Sequence, residues 1–391
     1  MRKRVSAVIM VIFLAFVFVV FAGTLVKYGR SYAYGFFKSY TDQLDEDPDV
    51  FEKAAARIYK LDYNTKNRLL LRNELREINV GFQRLLGKQT MSIGTHMMVK
   101  LKTGGYYDLF TEKADFEKAN ELIDFAVSTG AEAGLVYCHS TLYEDGMLPK
   151  GTEALDDNNE FADEIIKLFS SAGLTVIDSR EAYAASGLTI DEAINKSDVH
   201  WSHKMALNTA YLAAQKLGLD SEKLDISKFE DELHADLLIG EYGQRLGTDN
   251  VPKDDIHVLY PAYDTDITYE EINNGIKRSG SFEQAVINRA NLELNEGEDY
   301  SGNAYYIYGH YLAQTHTHNE AAPEKTILIF KDSYGTPLTA FLGLAARDVY
   351  AVDLRSTNRS MQEWFDEIKP DMVLFAYSQQ MLRNFEYVIA E

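Results

Sequence analysis

From residue 325 onward the chain alternates short apolar runs with amphipathic stretches: "TILIF", "TPLTAFLGLAARD", "VYAVD", "SMQEWFDEI" and "DMVLFAY". Apolar runs of about four to eight residues read as strands buried on both faces, and the longer stretches between them have helical spacing. Strand–helix–strand units close as right-handed crossovers, which align the strands in parallel and put helices on both faces of the sheet. The same alternation occurs earlier. "AGLVYCHS" reads as a strand, "FADEIIKLFSSAG" as a helix with Phe161, Ile165, Leu168 and Phe169 on one face, and "LTVID" as a further strand. The expectation is an α/β domain with a mostly parallel sheet.

The N-terminus is of another kind. "MRKR" is basic, and the 22 residues 5–26 carry no charge. A helix needs about 20 apolar residues to cross a bilayer. The basic cluster stays on the cytoplasmic side by the positive-inside rule, which places the bulk of the chain outside. "SYA" at residues 31–33 offers the rival reading of a cleaved signal peptide, but signal-peptide apolar regions run about 7 to 15 residues. Length favours an uncleaved anchor at residues 1–26. A helical juxtamembrane linker is expected at 27–90, where "NRLLLRNELREINVGFQRLLG" has helical spacing and ends on Gly87. The folded domain is then 91–391. Within it, 219–320 is acidic and irregular, with strands expected at "IHVLY" and "YYIY".

With 46% hydrophobic residues the domain can build a core, and the net charge of −21 argues against nucleic acid and anionic lipid surfaces as partners. The single cysteine, Cys138, excludes an intrachain disulfide and sits in an apolar run, as a buried structural thiol does.

Two polar stretches stand out. "KDSYG" follows the strand "TILIF", so Ser333 falls in a strand-to-helix turn at the C-terminal end of a parallel strand, where α/β sheets carry their sites. Thr336 suits an N-cap and Pro337 a first helical position, with Leu338, Phe341, Leu342 and Ala345 as the buried stripe. Free backbone N–H groups at such a turn suit a nucleophile and its oxyanion hole. Asp332 and Ser333 as plain turn caps are the bland alternative. The second stretch, "KSDVHWSHKMALNTAYLAAQKLG", packs Asp198, His200, Trp201 and His203 at a helix entrance. If Asp198-Val199-His200 is extended, the aspartate and His200 share one side of the chain, as the base and its orienting acid must to activate a serine. Ser202 can cap the following helix, so Asp198 is not required as a cap.

"SDVHWS" before a helix, with "GEYGQRLG" after it and then "ILIFKDSYGTPLTAFL" and "VYAVDLRS", resembles the DHHW proteins and the related AlgJ/AlgX-type alginate O-acetylation proteins, from about residue 60 to the C-terminus. The resemblance implies an SGNH-hydrolase-like three-layer α/β sandwich behind the transmembrane helix. It also implies Ser333 as nucleophile, with Asp198 and His200 as the acid–base pair. Gly309, His310, Trp201 and Arg355 are the candidates for substrate or oxyanion contacts. Val199 stands where DHHW proteins have their first histidine, Met205 where a glycine is usual, and His310 where an asparagine is usual. If that asparagine donates to the oxyanion, the role passes to His310.

His310, His316 and His318 in "GHYLAQTHTH", with His200 and His203, invite a zinc reading. No carboxylate lies at ligand spacing, so these are read as loop histidines and no metal or other cofactor is expected. The expected function is membrane-anchored, extracytoplasmic O-acetylation of an exported or cell-wall polysaccharide. The resemblance suggests a multi-pass membrane acyltransferase as acetyl donor. An esterase with the same triad, and an inactive envelope scaffold or binding protein, are the alternatives.

Overall fold

The computed structural model describes residues 2–37, 69–93, 96–110, 116–141, 143–293 and 302–383. The chain divides into two compact units, residues 1–82 and 83–391. The first begins with the helix Arg2–Phe37, whose Met10–Arg30 portion is long and apolar enough to cross a bilayer. Val11, Phe13, Phe18 and Val19 on it are exposed, a surface that water disfavours and lipid does not. Residues 38–68 of the expected linker lie outside the described residues. The later part of that segment is the helix Arg72–Leu85.

In the second unit, β1 (Thr90–Ile93), β2 (His96–Lys100) and β3 (Tyr106–Leu109) form an antiparallel sheet. β4 (Glu132–Cys138) and β5 (Thr175–Asp178) belong to the main sheet. β6 (Phe229–Leu238) and β7 (Asp254–Pro261) form a separate two-stranded ladder. The main sheet is completed by β8 (Ile267–Glu271), β9 (Ile276–Gly280), β10 (Thr315–His318), β11 (Thr326–Lys331), β12 (Asp348–Val352) and β13 (Met372–Ser378). Its order is β5-β4-β13-β11-β12-β10-β8-β9. The strands from β5 to β12 run parallel, and β10, β8 and β9 continue the sheet antiparallel.

Alternation along the central strands shows why this is a three-layer sandwich. On one face Val136 and Cys138 of β4, Ile327 and Ile329 of β11, and Leu374 and Ala376 of β13 pack with Met205, Leu207 and Ala210 of the helix His203–Lys216. Leu338 and Phe341 of the helix Gly335–Leu342 join that face. On the other, Leu135, Tyr137, Leu328, Phe330, Val373 and Phe375 meet three helices, Phe116–Thr129, Asn158–Ser171 and Met361–Ile368. Strands apolar at every position must be covered twice, and here they are.

Two local expectations change. "IHVLY" lies in β7, but "YYIY" belongs to a 3₁₀ segment, Gly302–Tyr308, that is kinked at Tyr306, and not to a strand. Ala304, Tyr305, Ile307 and Tyr308 are all buried, a repeat of three that suits a 3₁₀ turn and not the two-residue repeat of a strand. The stretch 219–320 also contributes β8, β9 and β10 to the main sheet.

Candidate active site

β11 delivers Ser333. Asp332, buried just past the strand, fixes the turn with both carboxylate oxygens: Oδ1 accepts the Tyr334 N–H at 3.0 Å and Oδ2 the Ser378 N–H, at the end of β13, at 2.8 Å. The helix that follows starts at Gly335 with Tyr334 as its cap, two residues earlier than Thr336 and Pro337 suggest. Pro337 still lies in the first turn, where N–H groups have no intrahelical partner and its own is not missed. The Ser333 N–H makes no hydrogen bond among the described residues and is available to a developing oxyanion.

The acid–base pair comes from the loop between Ile194 and the helix His203–Lys216. This loop is held from two sides. Buried Asp254 accepts the N–H of Lys196 at 2.8 Å and both the backbone N–H and the hydroxyl of Ser197 at 2.6 Å each. Asn195 Nδ2 donates to the His200 and Trp201 carbonyls at 3.1 and 3.2 Å. The expected extended conformation of residues 198–200 is absent, because the chain bends here. The bend serves the same end by another route: Asp198 Oδ1 accepts the backbone N–H of His200 at 3.0 Å and lies 2.5 Å from its Nδ1. Asp198 Oδ2 accepts the Glu241 N–H at 2.8 Å. Gly240 makes that approach possible, since a Cβ there would stand 2.0 Å from Asp198 Oδ2.

His200 Nε2 lies 2.8 Å from Ser333 Oγ, across a separation of 133 residues in sequence. The imidazole is clamped by aromatic rings. Tyr305 stacks on it at 4.4 Å and 21°, Tyr334 lies tilted at 4.9 Å, and Tyr306 presents an edge at 5.8 Å. These clamps are themselves anchored. The Tyr334 hydroxyl donates to the Val199 carbonyl, and the Tyr305 carbonyl lies 2.9 Å from His203 Nε2. His203, one of the zinc-reading histidines, thus faces two backbone carbonyls, its Nδ1 being 3.0 Å from that of His257.

Burial by itself lowers the pKa of His200, but the charge and hydrogen bond of Asp198, with Glu241 and Asp332 further off, outweigh it and raise the group above 6.5. Burial likewise opposes the charge on Asp198, and the His200 contacts reverse that and hold the carboxyl below 3.8. A poised imidazole backed by an ionised carboxylate can take the serine proton, and the carboxylate stabilises the imidazolium that results. The base works only when neutral. Turnover should therefore fall as pH drops through the raised His200 value, giving an acid limb with its midpoint above pH 6.5. Asp198→Asn removes the chief group that raises it and leaves burial opposed only by the more distant Glu241 and Asp332, so the midpoint should move down while the rate drops about 10⁴-fold. A pH profile of the two proteins on an aryl acetate checks this, and coincident limbs would refute the assignment.

The remaining candidates are dispersed around this centre, and none of them hydrogen-bonds Ser333 among the described residues. Trp201 is a correction. It is fully buried with its ring 5.8 Å from that of Tyr334, so it props the clamp from within the core and is not a substrate contact. Gly309 is buried at φ 130°, where a Cβ would meet the Tyr269 hydroxyl at 2.6 Å. His310 is exposed, stacked on Tyr311 at 4.8 Å, with its Nδ1 accepting the Leu312 N–H at 3.2 Å. Arg355 lies beyond the C-terminal end of β12, beside the end of β11, and forks onto buried Asp353 at 2.8 and 2.6 Å. His316 and His318 are on β10 and not in a loop. Cys138 is buried, and burial pushes its thiol up, as a structural thiol requires.

Sequence reasoning missed Lys331. It is buried at the end of β11, its Nζ donating to the Tyr311 carbonyl at 2.6 Å and to Thr336 Oγ1 at 3.3 Å, and burial pulls it down to about 8. A lysine closing an otherwise apolar strand was the available signal. Tyr305, Tyr334 and the Gly240–Glu241 contact were missed as well, the last lying inside the quoted "GEYGQRLG".

No protein-family model matches the chain, and no curated protein does. Solved structures do. A DHHW family protein from Eubacterium siraeum superposes with a TM-score of 0.57 at 16% identity, covering 76% of this chain and 95% of that one. PatB1 from Bacillus cereus, solved with a sulfonyl adduct, gives 0.57 at 16% identity over 76% of this chain and 100% of its own. A second PatB1 structure gives 0.52 at 17% identity, over 75% and 97%. The likeness is one of fold, and by its fold this chain stands with the DHHW family protein and PatB1.

Proposed function

We propose that this chain is a membrane-anchored, extracytoplasmic acyltransferase that O-acetylates an exported or cell-wall polysaccharide through Ser333, His200 and Asp198. The observation that carries the reading is the continuous hydrogen-bonded line from Asp198 through both nitrogens of His200 to the Ser333 hydroxyl, at 2.5 and 2.8 Å. In the proposed cycle Ser333 Oγ attacks the carbonyl of an acetyl donor while His200 Nε2 takes its proton. The oxyanion that forms draws on the Ser333 N–H, and the leaving group departs with the proton from His200. A sugar hydroxyl then attacks the acetyl-serine, giving its proton to His200, and the collapse restores the free serine. Met10–Arg30 serves as the anchor, with the basic N-terminal cluster on the cytoplasmic side. The acetyl donor on the outer face is a multi-pass membrane acyltransferase, and water in place of the sugar would make the same site an esterase.

The test uses the full chain in detergent with an aryl acetate as donor. One acetyl group should accumulate on the peptide containing Ser333, and a polysaccharide acceptor should clear it faster than water does. An aryl sulfonyl fluoride, chosen because PatB1 carries a sulfonyl adduct, should inactivate the protein with one label per chain. Equal labelling of Ser333→Ala, or no acetyl on Ser333, refutes the reading. Clearance no faster with sugar than with water assigns the chain to hydrolysis instead.

A further inference from the structure

No carboxylate lies at ligand spacing along the chain from the histidines of β10, but the sheet supplies one. His316 and His318 stand two apart on a strand and therefore project from the same face. In the antiparallel register His318 lies opposite Asp348 and His316 opposite Tyr350, both on β12. The Asp348 carboxylate reaches both rings: its Oδ1 is 2.7 Å from His316 Nε2 and 2.8 Å from His318 Nδ1. One donor atom from each of the three residues lies within 4.8 Å of the others.

We propose that His316, His318 and Asp348 form a binding site for a divalent transition-metal ion, best matched by zinc. Two imidazoles and one carboxylate are a donor set that zinc takes readily, with bonds of about 2.0–2.2 Å and tetrahedral geometry. Those bonds put neighbouring donors roughly 3.3 Å apart, so each histidine needs to open from Asp348 by only about half an ångström, with the two ring nitrogens already within 4.8 Å of each other. The rings are already set. Tyr350 lies flat on His316 at 4.0 Å and 3°, and Glu320 Oε1 stands 3.2 Å from His318 Nε2, as an outer carboxylate that orients a ligand histidine does. The three side chains are each about a quarter to a third exposed, at 23%, 33% and 22%, which leaves water for the fourth position. Both inward nitrogens must offer lone pairs to the ion, so protons bound there leave and affinity falls as pH drops.

The place of the site in the sheet says what it does. Asp348 opens β12 and pairs with Thr326, the first residue of β11, whereas Ser333 follows the far end of β11. The two sites are therefore roughly 20 Å apart, at opposite ends of the strands. β10 to β12 is also the seam where the sheet changes from parallel to antiparallel. An ion there fastens the β8–β10 extension to the parallel strands and takes no part in acyl chemistry.

Titration of the tag-free full chain in detergent with zinc chloride alone, after chelation and dialysis, tests this. One zinc per chain should bind and raise the melting temperature, and Glu320→Gln should weaken binding about tenfold. His318→Ala and Asp348→Asn should each weaken it more than that. Replacing zinc by cobalt should give the visible absorption of a tetrahedral site, while aryl acetate turnover should be the same with and without metal. Failure to bind one equivalent overturns the proposal, and so does binding that survives His318→Ala and Asp348→Asn. A turnover that follows the zinc content overturns the structural role. Since the readouts are binding and melting, they stand whether or not Ser333 is a nucleophile.

Discussion

Ser333→Ala should lower aryl acetate turnover about 10⁶-fold, His200→Ala about as far, and the double variant no further. The reason is that the two groups act as one: without the base the hydroxyl is a poor nucleophile, and without the hydroxyl the base has no proton to take. Geometry makes the coupling strict, because Tyr305, Tyr334 and Tyr306 surround the His200 ring and leave its Nε2 directed at Ser333 Oγ. The variants differ in stability. Ser333→Ala removes one hydroxyl from a turn that Asp332 holds by other bonds, so its melting temperature should stay near that of the parent. His200→Ala strips a buried carboxylate of its imidazole and leaves Asp198 with two backbone N–H groups, those of residues 200 and 241, and no opposite charge, a loss of about 3–5 kcal/mol by the usual cost of breaking a buried charge pair. His200→Gln keeps a donor near Asp198 and separates chemistry from folding: it should be folded and inactive. Single-turnover kinetics with a urea melt of each protein settles the matter. Losses that multiply in the double variant would mean that Ser333 and His200 work independently, contrary to the triad.

Some of this site was legible in the sequence and some was not, for physical reasons. The parallel strands announced themselves because strands buried on both faces are apolar throughout, as Ile327 to Phe330 and Val373 to Phe375 are. That Asp198, His200 and Ser333 meet was legible because a base, its orienting acid and a serine at a helix entrance and a strand end are the residue types that the proposed chemistry needs. The bend at residues 198–200 was not, since the bonds that shape it come from Asp254 and Asn195 and depend on a tertiary arrangement. Tyr305 looked like part of a strand because aromatic residues favour strands, and only packing on His200 and His203 makes it one wall of the site. Asp348 escaped for a similar reason, as its histidines reach it by strand register and not by spacing.

Gly240→Ala should nearly silence the protein without touching any residue that carries the chemistry. The position needs no unusual backbone angle, since its φ is −87°, and what it needs is space. An added Cβ would lie 2.0 Å from Asp198 Oδ2 and 2.2 Å from Asp198 Cβ, with the Glu241 N–H bonded to the same oxygen at 2.8 Å. Neither side can yield easily. Asp198 is buried and short, and the 240–241 backbone is tied to the same loop, with Ser197 Oγ accepting the Gly240 N–H at 3.1 Å and the Ser197 carbonyl accepting the Tyr242 N–H at 2.9 Å. Overpacking of this sort costs about 1–3 kcal/mol, which a urea melt should register. The larger effect is on the rate. Once Asp198 is pushed off His200 Nδ1, turnover should fall about 10²- to 10⁴-fold, toward the level of Asp198→Asn. Loss of stability alone could not move the pH dependence, but loss of the Asp198 contact must: the acid limb should shift down from its position above pH 6.5, because the chief group that raises His200 has been displaced. Rates taken well below the melting temperature, at several pH values, separate the two effects. A Gly240→Ala protein with the parental rate and an unmoved acid limb would show that Asp198 does not hold the base, and the triad would lose its third member.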